Sequence, residues 1–78
     1  MEELVRFIVE HLVSNKDAVK IETSKDNENT STIFVEVDKE DMGKVIGKNG
    51  KIASSIRAIV KTASADSNMR YYVQIVEK

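Results

Sequence analysis

The chain has 78 residues, 41% of them hydrophobic, with no cysteine, no proline, one histidine and a formal net charge of −1. That length allows one domain whose single core holds without disulfides, nothing points to an oxidising compartment, and the charge excludes a surface coated in cations for DNA. The apolar run from Leu4 to Val13 is broken by Arg6, Glu10 and His11, so it reads as neither a signal sequence nor a membrane span. A cytoplasmic protein with no membrane contact is expected.

Residues 2–13 predict the first helix. Leu4, Val5, Phe7, Ile8, Val9, Leu12 and Val13 cover more than half of its wheel, a wider apolar arc than a surface helix normally buries, so part of it is surplus to the core. His11 lies within that arc and reads as a packed or edge residue. Residues 18–24 alternate, with Val19 and Ile21 opposite Lys20 and Glu22; residues 32–37 alternate again, with Ile33, Val35 and Val37 opposite Thr32, Phe34 and Glu36. Two half-buried strands joined by the polar segment 25–31 predict an antiparallel hairpin.

Asp38 reads as the N-cap of a short helix over 39–46, with Glu40 and Asp41 placing negative charge at its positive end. The acidic trio is therefore expected to cap, not to bind a metal. A longer helix from Lys51 to about Ala65 carries Ile52, Ala53, Ile56, Ile59, Val60 and Ala63 as one apolar stripe, and a polar turn leads to a last strand over 70–76. The helix pair is long enough to return that strand parallel to the second one. The expected fold is α+β, in the order helix-strand-strand-helix-helix-strand, with a three-stranded mixed sheet covered by three helices on one face.

Charge is unevenly distributed. Residues 1–38 hold four basic and nine acidic side chains, whereas residues 39–61 hold six basic and two acidic. A basic segment on an acidic body is the footprint of a local anion site, or else the solvated face of a helix. Within it Gly47-Lys48-Asn49-Gly50 joins the two helices. The spacing Gly43-x-x-x-Gly47-x-x-Gly50 fits neither a Walker loop nor a dinucleotide-binding loop. With no cysteine and one histidine, the serines have no evident triad, so no enzyme and no cofactor are expected. The glycines permit a tight turn that a ligand can approach closely, and the second helix begins there with its positive end. Lys48 stands at the tip between Lys44 and Lys51, with Val45 and Ile46 as an apolar floor. Phosphates at the loop and bases on the floor suit single-stranded nucleic acid.

The run Val45-Ile46-Gly47-Lys48-Asn49-Gly50-Lys51-Ile52, followed by Ile56, resembles the Ile-Gly-x-x-Gly signature of KH domains. The element order resembles their type II arrangement. Over all 78 residues the chain is most similar to the small bacterial single-KH-domain RNA-binding proteins of the KhpA type, whose hallmark run resembles Asp41–Lys48 and Lys51–Arg57 here. Ala53 departs from the general pattern, where a bulky aliphatic is common, and implies a shallower groove. The resemblance implies that Lys44, Val45, Ile46, Gly47, Lys48, Asn49, Gly50, Lys51, Ile52 and Arg57 bind single-stranded RNA over about four nucleotides. The groove would lie between the two helices on one side and the last strand with its preceding turn on the other. It further implies an RNA chaperone or post-transcriptional regulator, pairing with itself or with a larger KH-containing RNA-binding protein and linked to cell shape and division.

Three other readings stay open. The loop can be an ordinary helix–helix turn, the domain can be a protein-interaction adaptor with little RNA binding of its own, and Phe34 with Tyr72 can stack bases on an open sheet face. The uncharged side of the long helix (Ser54, Ser55, Ala58, Thr62, Ala65) is the first candidate for a homodimer contact, the surplus arc around Phe7 or Val13 the second. Small residues there would equally leave a groove unobstructed.

Overall fold

A computed structural model describes residues 1–77. Its elements are α1 (Glu2–Leu12), β1 (Lys20–Asn27), β2 (Thr30–Val37), α2 (Met42–Ile46), α3 (Lys51–Ala63) and β3 (Arg70–Glu77), with 3-10 turns at Lys16–Ala18, Lys39–Asp41 and Lys48–Gly50. β1 pairs antiparallel with β2, β2 pairs parallel with β3, and the sheet order is β1-β2-β3. This is the α+β, mixed-sheet topology expected from the alternation of the strands and the long crossover between β2 and β3.

The period of two in β2 divides the sheet into an inner and an outer face. Ile33, Val35 and Val37 are completely buried, and Ile21 and Val73 join them across the neighbouring strands. The helices cover this face. Val5 and Val9 are the buried line of α1, while Ala53, Ile56 and Val60 are that of α3. The outer face holds Thr32, Phe34 and Glu36 opposite Tyr72, Gln74 and Val76.

Four local expectations are corrected. The hairpin is tighter than the polar composition of 25–31 implies: only Glu28 and Asn29 lie between the strands. Thr32 Oγ1 donates to Asp26 Oδ2 at 2.7 Å, and Asn29 N donates to Asn27 Oδ1 at 2.8 Å, so side chains stabilise the exposed end of β1 and the turn. At the other end, residues 16–18 form a 3-10 turn before β1 begins at Lys20. The predicted helix over 39–46 is a 3-10 turn followed by α2. Finally, Ile59 and Ala63 do not belong to the buried stripe of α3. Ile59 is 44% exposed, and Ser64 is buried in line with Ala53, Ile56 and Val60. Its hydroxyl donates to Val60 O at 2.8 Å, a local bond that competes with helix continuation, and α3 stops at Ala63 instead of Ala65.

Candidate nucleic-acid interface

The glycine loop is shaped by three left-handed or glycine-only conformations in four residues. Gly47 has φ 77° and ψ 174°, Asn49 has φ 58° and Gly50 has φ 74°. Asparagine is among the few side-chain-bearing residues that adopt a positive φ readily, so Asn49 completes a turn that the glycines begin. Gly50 N–H donates to Gly47 O at 3.1 Å, and Lys51 N–H donates to Lys48 O. Two amides at the start of α3 are therefore closed by the loop itself. The tip is left to Lys48 and Asn49, both exposed, at the positive end of α3.

The residues flanking the loop divide by burial. Val45, expected in the floor beside the tip, is completely buried in the core and anchors α2 from within. Ile46 and Ile52 are half-buried and pack on the core's edge, so they supply the apolar surface next to the loop. Ala53 and Ile56 lie beneath that surface, 5% and 2% exposed.

The acidic trio behaves differently from a simple set of caps. Asp38 is the expected N-cap, accepting from Glu40 N at 3.3 Å. Asp41 instead turns inward, where it is 1% exposed and accepts from Ser14 N and Asn15 N, each at 3.0 Å. Lys44 Nζ lies 3.4 Å from Asp41 Oδ1 and also contacts the Ser14 hydroxyl. Asp41 thus fastens the turn after α1 to the start of α2, and Lys44 is held there as its counter-ion. The Ser14 and Asn15 amides lower the Asp41 pKa first, Lys44 adds to this, and burial opposes it.

A group whose folded pKa is depressed contributes stability above its unfolded pKa, here about 3.9, and loses it as pH falls through the folded value. Asp41→Asn replaces an acceptor of two amides by a group with one acceptor and one donor head. Its melting temperature should lie below the parent's at neutral pH, and the gap should close on acidification below about 4. A gap that persists at lower pH would contradict this role.

Arg57 extends the basic surface along α3. Its Nε donates to Val73 O at 3.2 Å, bridging α3 to β3 on the side away from β2. Beyond it the second half of α3, the turn after it and the start of β3 enclose an open cleft of about 530 Å³, lined among others by Arg57, Lys61, Met69, Arg70 and Tyr72. This is the position expected for the groove's far wall. Lys61, Arg70 and Tyr72 were not among the residues marked by the loop motif, and only their place on one side of the chain reversal at 64–69 gathers them. Among the described residues, Lys48, Lys51, Arg57, Lys61 and Arg70 have no carboxylate within 4.0 Å.

The KhpA/KhpB KH domain family matches residues 2–75 of this chain. The chain belongs to that family. It is 43% identical over 76 residues to the RNA-binding protein KhpA of Caldanaerobacter subterraneus subsp. tengcongensis, covering 97% of this chain and 100% of that protein. The KhpA of Listeria monocytogenes serovar 1/2a is 39% identical over 77 residues, covering 99% and 100%. That of Borreliella burgdorferi is 35% identical over 75 residues, covering 96% and 90%. The described residues include no cluster of potential metal ligands and no helix long and apolar enough to cross a membrane.

Proposed function

We propose that the protein is a non-enzymatic, cytoplasmic binder of single-stranded RNA whose one KH domain spans residues 1–78. The observation that carries this reading is the exposed Lys48-Asn49 tip, held by positive-φ backbone at the start of α3 and beside cations that have no carboxylate within 4.0 Å among the described residues. Lys48, Lys51 and Arg57 face phosphate. Ile46 and Ile52 provide the surface for bases, and Gly47 and Gly50 set the turn. Lys44 and Val45 act behind this surface, one bracing Asp41 and the other anchoring α2. The name RNA-binding protein borne by the KhpA relatives supports the same reading, and a role as RNA chaperone or post-transcriptional regulator follows from it.

The test is binding of a short single-stranded RNA at increasing salt. Two or three phosphates neutralised by Lys48, Lys51 and Arg57 give a slope of log affinity on log salt of roughly −1.5 to −2. A flat response would favour a protein-interaction adaptor. A slope several times steeper would require a larger basic surface.

The reading includes a partner copy. Ala58, Ile59, Thr62 and Ala63 form an exposed, uncharged strip on α3, and Ile59 is 44% exposed. Small residues let a second helix approach closely, and Ile59 adds apolar area to bury. Ala58→Arg is expected to convert a dimer to a monomer in light scattering. A parent protein that is already monomeric, or a variant that stays dimeric, would remove this face from consideration. A larger, KhpB-type KH protein is the heteropartner the family's joint description suggests.

A further inference from the structure

Asn49 carries a chemistry that its place at the tip of the loop does not use. Of the five asparagines in the chain (Asn15, Asn27, Asn29, Asn49 and Asn68), it alone precedes a glycine. In an Asn-Gly pair no side chain shields the second residue's backbone nitrogen, which can close a five-membered ring on the asparagine side-chain carbonyl. Asn49 is exposed, and a Cβ added at Gly50 would meet nothing within 4 Å, so the space around the pair is open. Two features of the native turn hold the reaction back. Gly50 N–H donates to Gly47 O at 3.1 Å, and the Asn49 backbone at φ 58° and ψ 25° turns Gly50 N away from the Asn49 side chain. Both brakes belong to the turn itself, and both are released when the turn opens.

We propose that Asn49 is a self-modification site through which the RNA-free protein loses its RNA contact. The proposal rests on the loop's being that contact. In the opened turn, Gly50 N gives up its proton to hydroxide and bonds to Asn49 Cγ. The Cγ–Nδ2 bond breaks, and Nδ2 leaves as ammonia, taking a proton from water. Water then opens the resulting succinimide. Cleavage at Cγ restores the ordinary backbone with an aspartate side chain; cleavage at the backbone carbonyl leaves isoaspartate, whose chain runs through Cγ. Nothing is oxidised or reduced, and the net change is water taken up and ammonia released. Either product places an anion beside Lys48, where it repels the phosphate that Lys48 attracts. Isoaspartate also lengthens the backbone of the turn. RNA seated on the Lys48-Asn49 tip holds the turn closed, so bound protein is spared and RNA-free protein is inactivated.

The test incubates the parent protein at mildly alkaline pH, alone and with excess uridylate octamer, and follows each asparagine by peptide mass spectrometry. Asn49 should become acidic ahead of the other four asparagines, at a rate that rises with hydroxide concentration, and the RNA should suppress the change. Unfolding the chain in urea should accelerate it, because both brakes are then gone. Gly50→Ala, whose added Cβ crowds the attacking nitrogen, should lose most of the modification. The modified protein, separated by charge, and the variant Asn49→Asp should each bind the octamer about tenfold less tightly than the parent. Asn49→Asp supplies that readout without the incubation. An Asn49 that changes no faster than the other asparagines, in a parent that binds the octamer, would overturn the inference and leave the loop reading standing. Modification that RNA does not slow, with the parent's affinity kept by the modified protein and by Asn49→Asp, would overturn both.

Discussion

Replacing Gly47 by alanine should lower the melting temperature by roughly 15 °C, a loss of about 3 kcal/mol in a domain of this size. At φ 77° and ψ 174° the residue occupies backbone space that is essentially restricted to glycine. A Cβ built there would also lie 2.6 Å from Ile52 Cγ1 and 2.9 Å from Ile52 N. The second contact is with backbone at the start of α3, so rotating a side chain does not relieve it. Either α3 is pushed away from α2 or the loop abandons its turn. The two other glycines provide internal controls. Gly50, at φ 74° with nothing within 4 Å of an added Cβ, should lose only about 1 kcal/mol as alanine. Gly43, inside α2 with open space, should gain up to about 1 kcal/mol. Thermal unfolding of the three variants checks the order, and a Gly47→Ala protein that melts within a degree or two of the parent would contradict the loop geometry.

The elements that alternate or repeat cleanly were legible in the sequence. β2 is the clearest: Ile33, Val35 and Val37 point inward as their spacing requires, and the parallel return of β3 follows from the length of the crossover. Legibility fell where distant neighbours decide. Nothing local distinguishes Asp41 from Asp38, yet one is buried because the amides of Ser14 and Asn15, far away in sequence, converge on it. Val45 reads as part of a ligand surface until the direction of α2 turns it into the core. Ile59 fits an apolar stripe on a helical wheel, but the buried line of α3 runs through Ser64. The far end of β1 carries no hydrophobic alternation because its residues from Glu22 on are exposed, where the backbone ladder with β2 is supplemented by side-chain hydrogen bonds. The loop was visible because its glycines and lysine are contiguous. The resemblance implied where the cleft lies, but not that Lys61 and Arg70 line it, because those two come together only through the reversal between α3 and β3.

Lys48 and Asn49 concentrate the account in two exposed side chains. Changing both to aspartate reverses the charge facing phosphate, replacing one cation and one neutral amide by two anions. Repulsion at that distance, added to the lost attraction, should reduce RNA affinity at least a hundredfold, on the order of 3 kcal/mol or more. The fold should tolerate the change. Neither side chain is buried, Asn49 is the only non-glycine residue with positive φ among those described, and aspartate accepts that conformation nearly as well as asparagine. The steric relation of Gly47 to Ile52 is untouched. RNA binding of Lys48→Asp/Asn49→Asp, measured beside its thermal melting, therefore separates recognition from stability. The expected result is a melting temperature close to the parent's with RNA binding abolished; a folded double variant that binds RNA with the parent's affinity would contradict the assignment of the loop.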